Sequence, residues 1–206
     1  MFENKKNELI EYGRMAGDKN YTPGISGNLS ARCGDKVVIT SSGVANGYLT
    51  EKDFAVVDFD GNLIAGKNPS SERMLHIEFY KKRSEMNYVM HVHSPYLTAF
   101  ASAGIALDDK ISPEIIYCFG EIPLAEYAIP GSKELVEKTS KYFENYDVVL
   151  MANHGVIIAG KDIKDAFYKL DLCENYAKTV IGAKLLGGAK ILPEEEVEKI
   201  YSLRQK

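Results

Sequence analysis

The stretch Asn87-Tyr88-Val89-Met90-His91-Val92-His93, closed by Ser94-Pro95, is where the fold of this chain becomes readable. An apolar run of this kind reads as a strand, and successive strand side chains alternate between the two faces. His91 and His93 therefore point the same way, which sets two imidazoles side by side. Imidazole is the commonest protein metal ligand and suits zinc, copper, nickel and iron. A lone histidine in such a strand is more often a hydrogen-bonded core residue, so the pair carries weight only with further donors. The chain holds four histidines, and one of them, His154, follows Asp147-Val148-Val149-Leu150-Met151-Ala152-Asn153, a second buried-strand pattern. Gly155 comes directly after it and permits a close backbone approach or a bulge that aims the ring. A third ligand from a distant element is normal for a zinc site.

Periodicity and turn residues lay out the rest of the chain around these two strands. Residues 3–19 read as an amphipathic helix, with Leu9, Ile10, Met15 and Ala16 at helical spacing, followed by a turn-rich loop over 21–28. Strands are predicted at 29–32, 36–40, 54–59 and 63–65, the last two joined by Asp60-Gly61-Asn62 as a hairpin. Pro69-Ser70-Ser71-Glu72 opens a helix to about residue 83, with serine capping and an acid in the first turn. Helices follow at 96–103 and 132–144, paired strands at 147–152 and 156–159, and closing helices at 162–186 and 194–204. Tyr117 is expected in an irregular stretch after Pro113. The reading is a single α/β domain over residues 1–206, with a mixed, mostly antiparallel central sheet flanked by helices.

Composition narrows the function classes. A chain of 206 residues buries a sizeable core without staples, and 45% hydrophobic with 26% charged residues is ordinary for a soluble globular protein. The net charge is −4 without a basic cluster, which argues against nucleic-acid and anionic-membrane partners. Cys33, Cys118 and Cys173 are far apart and odd in number, so neither a disulfide framework nor a cysteine zinc knuckle is expected, and a cytoplasmic location fits best. The N-terminus reads as lacking a signal-peptide apolar stretch, and no segment approaches transmembrane length.

A zinc ion held by three histidines often takes a carboxylate as fourth ligand or nearby base, and Glu72 is the best-placed acid. Four residues on, His76 reads as a partner of a ligand or a packed core residue rather than a ligand. Ser70 and Ser71 at a helix start can bind phosphate through hydroxyls and free backbone N–H groups. Ser26-Gly27-Asn28 and Thr40-Ser41-Ser42-Gly43 offer further donors, although neither has P-loop or dinucleotide spacing.

Taken together, Gly27-Asn28-x-Ser30, Pro69-Ser70-Ser71-Glu72, His91-x-His93 and Asn153-His154-Gly155 resemble the class II aldolase/adducin family, most closely its L-fuculose-1-phosphate aldolases. The resemblance implies a homotetramer with active sites between subunits and one Zn2+ per subunit. It assigns His91, His93 and His154 as metal ligands, and Glu72 as an acid/base that also ligates the metal. Gly27, Asn28, Ser42, Gly43, Ser70 and Ser71 match its phosphate-binding positions. Tyr117 matches a tyrosine used by a neighbouring subunit's site, and Tyr201 a mobile C-terminal tyrosine. Ile25 stands where those aldolases tend to have a phosphate-touching threonine, and residues 118–123 lack their small-residue stretch.

The implied reaction is cleavage of a ketose 1-phosphate to dihydroxyacetone phosphate and an aldehyde. A methylthioribulose-1-phosphate dehydratase and a pentulose-phosphate 4-epimerase are the rivals on the same fold. The family's epimerases usually carry aspartate at the Glu72 position. An adducin-like interaction module is the non-enzymatic rival, but such modules lose the metal ligands and this chain keeps them.

Overall fold

Eight strands form one sheet in the order β4-β3-β2-β1-β5-β8-β7-β6. The computed structural model describes residues 2–204. The chain opens with α1 (Phe2–Asp18) and lays down β1 (Asn28–Cys33), β2 (Lys36–Thr40), β3 (Phe54–Asp58) and β4 (Leu63–Gly66) as an antiparallel meander. After α2 (Arg73–Lys82) it returns as β5 (Tyr88–Val92) beside β1, then forms α3 (Pro95–Ala103) and α4 (Pro113–Cys118). β6 (Leu124–Ala125), α5 (Lys133–Thr139), β7 (Val148–Met151) and β8 (Gly155–Gly160) complete the sheet, and α6 (Ile163–Leu185) and α7 (Glu194–Arg204) end the chain. Every pairing is antiparallel except β6 with β7, as a mixed, mostly antiparallel sheet requires.

Helices cover both faces, so the central strands read as continuous apolar runs rather than as alternating ones. Strand parity divides their side chains between two cores. Leu29, Ala31, Met90, Val92, Val156 and Ile158 pack with Leu9 of α1, Leu97 and Phe100 of α3, and Phe167 and Leu170 of α6. Val37, Val57, Val89, Val149, Ile157 and Ala159 pack on the opposite face with Leu75, Ile77 and Phe79 of α2 and Leu135 of α5. No helix among the described residues is long and apolar enough to cross a membrane.

Three local expectations need correction. Tyr117 lies in the helix α4, not in an irregular stretch. Pro113 starts that helix rather than breaking it, because an N-terminal position leaves its missing N–H without consequence, and Ser112 Oγ accepts from Ile115 N at 3.4 Å. Glu72 is the N-cap of α2, not part of its first turn, because residues 70–73 close as a turn in which Arg73 N donates to Ser70 O at 3.2 Å. No serine side chain caps α2; Ser70 Oγ accepts instead from Glu72 N at 3.2 Å.

Glu174 of α6 is the buried anion that joins two layers. Its carboxylate accepts from Ser94 Oγ at 2.8 Å, Tyr96 N at 2.8 Å and Leu97 N at 2.9 Å. It thereby satisfies the exposed end of α3, where Ser94 makes no capping bond of its own. Glu174→Ala leaves three donors without their acceptor, and the expected loss is about 2–4 kcal/mol of unfolding free energy, read from the urea midpoint. A change under about 0.5 kcal/mol removes this role.

Candidate functional site

The parity of β5 decides where the histidines go. Val89 enters the α2-side core while Met90 and Val92 enter the other, so His91 projects towards the α2 side. His93, one residue past the strand, shares that parity. His154 ends the turn between β7 and β8, in which Asn153 adopts a left-handed backbone with φ of 55°. Asparagine tolerates that conformation better than most residues. Gly155 is required by contact: a Cβ there would lie 2.6 Å from Val92 O, 2.9 Å from His93 Cδ2 and 3.3 Å from His91 Cε1. The hairpin thus lies directly on the His-x-His segment.

The three rings meet at centroid separations of 4.9 Å (His91–His93), 4.7 Å (His91–His154) and 5.2 Å (His93–His154). One nitrogen of each lies within 4.8 Å of the others, a grouping able to hold a metal ion. Glu72 closes the cluster from the start of α2. Its Oε2 accepts from Asn28 Nδ2 at 3.0 Å and lies 3.2 Å from His91 Nε2, and its Oε1 lies 3.4 Å from His154 Nε2.

The protons at this cluster can be assigned from the partners. His91 Nδ1 donates to the Val156 carbonyl at 3.0 Å, so Nε2 of the neutral ring is a bare lone pair. That nitrogen faces His93 Nε2 at 3.0 Å as well as Glu72 Oε2. Burial pushes the His91 and His93 imidazoles below their ordinary range and His154 down to about 4, so all three are neutral at pH 7. For Glu72, burial works to raise the pKa, but positive charge at the His91 and His154 positions, together with the Asn28 amide, outweighs it and holds the carboxyl below its usual range. Glu72 Oε1 and His154 Nδ1 are both buried without a hydrogen-bond partner among the described residues. A bare nitrogen and a carboxylate oxygen in contact attract only through a positive charge between them. Three neutral imidazoles with one carboxylate are the donor set of a divalent cation such as zinc.

Beside the cluster opens a cleft of about 380 Å³, lined by Gly27, Asn28, Ser41, Ser42, Gly43, Ser70 and Ser71 as well as by Glu72, His93 and His154. Two loops are zipped together to form it: Ser41 bridges Pro69, Ser70 N donates to Thr40 O at 3.2 Å, and Ser42 N donates to Asn68 O at 2.9 Å. Gly27 has φ of 74°, and a Cβ on it would lie 2.5 Å from His91 O, so the third loop rests on the metal-side strand. Hydroxyls and turn backbone at the head of a helix are groups able to take an oxyanion.

The structure therefore brings together all six residues expected at the phosphate and all four expected at the metal; His91 sits fully buried behind the cleft wall. It does not bring Tyr117 or Tyr201 to them. Neither lines the cleft, Tyr117 is 47% exposed on α4, and Tyr201 packs against Gly120 at the α4–α7 junction. Reading the sequence missed Ser41, although its loop was singled out, as well as Pro130 in the cleft lining and Glu174, which holds Ser94 next to His93. Only tertiary placement distinguishes these from ordinary turn and helix residues.

Sequence comparison points the same way as the geometry. The family model described as "Class II Aldolase and Adducin N-terminal domain" matches residues 7–181. The chain belongs to the class II aldolase and adducin family. An L-fuculose phosphate aldolase of Methanocaldococcus jannaschii is 38% identical over 85% of this chain and 95% of its own length. A 3-oxo-tetronate 4-phosphate decarboxylase of Haemophilus influenzae is 33% identical over 95% of each chain. A solved L-fuculose 1-phosphate aldolase superposes with a TM-score of 0.90 at 32% identity, covering 98% of this chain and 97% of its own. This class II aldolase-family chain is an aldolase-like lyase, the class that includes both named activities, since each breaks a carbon–carbon bond.

Gly155→Ala tests whether the hairpin seats the donors. The added methyl meets backbone at Val92, which cannot give way as a flexible side chain can, and it pushes on two of the three rings. Affinity for zinc, measured by competition with a chelating dye, is expected to fall about 10–100-fold, the usual cost of disturbing what orients a ligand. Gly182→Ala, which meets nothing within 4 Å, is the control and leaves affinity unchanged.

Proposed function

We propose that this chain is a zinc-dependent aldolase that cleaves a ketose 1-phosphate of the L-fuculose 1-phosphate type into dihydroxyacetone phosphate and an aldehyde. The observation that carries this reading is the continuity of two chemistries: Glu72, His93 and His154, with His91 buried behind them, share one cleft with Ser41, Ser42, Gly43, Ser70 and Ser71. The first suits a cation and the second an oxyanion, which is the polarity of a phosphorylated ketose.

In this reading His91, His93 and His154 hold one zinc per subunit, with Glu72 as fourth ligand until substrate arrives. Gly27, Asn28, Ser42, Gly43, Ser70 and Ser71 take the phosphate. Zinc, when bound, would supply a Lewis acid beside the ketone, lowering the cost of negative charge at the neighbouring carbon, C3. The hydroxyl of C4 loses its proton, the C3–C4 bond breaks with its electron pair left towards C3, and C4 departs as the aldehyde carbon. Glu72, freed from ligation, carries the proton that C3 takes up, and its orphaned Oε1 is the oxygen best suited to face substrate.

Tyr117 is proposed to assist proton removal at C4 from a neighbouring subunit of a homotetramer, with Tyr201 closing over the site. What supports action across a boundary is placement: Tyr117 is exposed on a helix outside its own cleft. A cytoplasmic setting suits three unpaired cysteines. A second reading, decarboxylation of a 3-oxo acid phosphate, is favoured by the relative of that name, which covers 95% of this chain. It leaves the same electron pair beside a ketone, so the same wall of donors serves it.

Product identification separates the two: aldehyde and dihydroxyacetone phosphate from a ketose 1-phosphate, against carbon dioxide from a 3-oxo acid phosphate. Purified untagged protein is expected to contain about one zinc per chain by elemental analysis. Glu72→Gln is expected to keep that metal while kcat falls about 100-fold, the scale of lost acid/base catalysis. Metal-free protein with undiminished, chelator-insensitive turnover overturns the reading.

The shared site has its own test. His93→Ala and Tyr117→Phe, each inactive alone, are unfolded, mixed and reassembled. Partial return of activity is expected, because mixed assemblies contain some sites with an intact metal cluster and an intact neighbouring tyrosine. A monomer by light scattering, or mixtures as inactive as their parents, removes the role across subunits.

A further inference from the structure

Behind the histidine cluster runs a line of buried polar side chains, of which His76, Ser30 and Tyr80 have no task in the proposed reaction. Glu72, His76 and Tyr80 recur at four-residue spacing along the face of α2 that packs on the sheet. Asn28 and Ser30 recur at two-residue spacing on the facing side of β1. The two periods interlock. Asn28 Nδ2 lies 3.0 Å from Glu72 Oε2, Asn28 Oδ1 lies 2.5 Å from His76 Nε2, His76 Nδ1 lies 2.7 Å from Ser30 Oγ, and Ser30 Oγ lies 2.7 Å from Tyr80 Oη.

Donor and acceptor counting gives this chain one direction. A carboxylate oxygen only accepts, so Asn28 must turn its NH2 group to Glu72 and its carbonyl oxygen to His76. A carbonyl oxygen also only accepts, so His76 Nε2 must carry hydrogen. Among the described residues no carboxylate touches the fully buried His76 ring, so it holds a single proton, and Nδ1 is the acceptor of the Ser30 hydroxyl. Tyr80 then donates to Ser30. Reversing any one link would set two donors or two acceptors against each other in the interior, where such a mismatch is costly.

We propose that His76 is a positioning residue: its fixed Nε2–H tautomer locks the Asn28 amide so that it donates to Glu72 Oε2, which leaves Glu72 Oε1 alone able to turn between metal and substrate. This rests on the acid/base role proposed for Glu72. Asn28 is the hinge of the arrangement, since it also pairs with His91 across the sheet and lines the cleft. Ser30 and Tyr80 serve to hold the tautomer, not to touch substrate.

The first measurement is independent of turnover. In zinc-loaded protein with 15N-labelled histidine, His76 is expected as the Nε2–H tautomer, its signals identified by their loss in His76→Gln. His91, which donates through Nδ1, is expected as the opposite tautomer. An Nδ1–H tautomer at His76, or a mixture of the two, overturns the proposal. The second measurement is kinetic: His76→Leu is expected to lower kcat about 10-fold with KM within about two-fold and zinc content unchanged. His76→Gln, whose amide can still donate to Asn28 Oδ1, is expected to recover most of that loss; equal losses in both variants reduce His76 to packing and overturn the role. Where His76→Leu fails to fold, Ser30→Ala takes its place, with a mixed tautomer and a several-fold lower kcat as the expected result and unchanged kcat as the contrary one. If wild-type protein cleaves no ketose phosphate, the aldolase reading fails, while the tautomer still decides the relay.

Discussion

A bare imidazole nitrogen held 3.2 Å from a carboxylate oxygen in the protein interior is the contact on which the rest of this structure depends. His91 cannot turn its proton towards Glu72, because that proton is committed to the Val156 carbonyl on the neighbouring strand. The contact is favourable only with positive charge at the cluster, and four strands and one helix are arranged to deliver the groups that surround it. β1 brings Asn28 opposite His91, β5 and the residue after it bring His91 and His93, the β7–β8 hairpin brings His154, and the N-cap of α2 is Glu72. Family membership is consistent with such a centre, but the electrostatic demand is visible without it.

The two faces of the sheet answer different needs. The face under α1, α3 and α6 is almost wholly apolar and supplies the burial that holds the domain together. The face under α2 is apolar towards α5 and polar towards the cleft, where Asn28, Ser30, His76 and Tyr80 replace hydrocarbon. Such a network gains little net stability over a packed core, but each member has only one acceptable orientation. Rigidity at Glu72 is the return. Glu174 does comparable work from the other face, anchoring the turn that follows His93.

Most of the sheet was legible because its strands are long enough for parity to show. The His-x-His strand, the Asp60-Gly61-Asn62 hairpin and the strand pair around His154 all come from local pattern. β6 and α4 were not legible: two residues and six residues give periodicity too little to work on, and β6 exists through its parallel pairing with β7. Pro113 misled because a proline starts a helix as readily as it breaks one. Within the site, residue types and order were enough to name the cluster and the cleft loops. The links from Asn28 to His76 and from Glu174 to Ser94 required register and layer packing, which no window of sequence contains. Tyr117 and Tyr201 stand apart for another reason: they were named only by their position in the family pattern, and neither lines the cleft of its own chain.

The cleft has a consequence for encounter rates. Among the described residues that line it there is neither lysine nor arginine, and its ionisable side chains are Glu72, His93 and His154. The chain as a whole carries a formal charge of −4. A phosphorylated ligand is therefore not drawn in from a distance, as it is by clefts that focus positive potential. It meets mild repulsion until it reaches the hydroxyls, the turn backbone and whatever charge the histidines hold. Added salt screens that repulsion, so capture of an anionic ligand quickens with ionic strength, the reverse of a lysine-lined phosphate site.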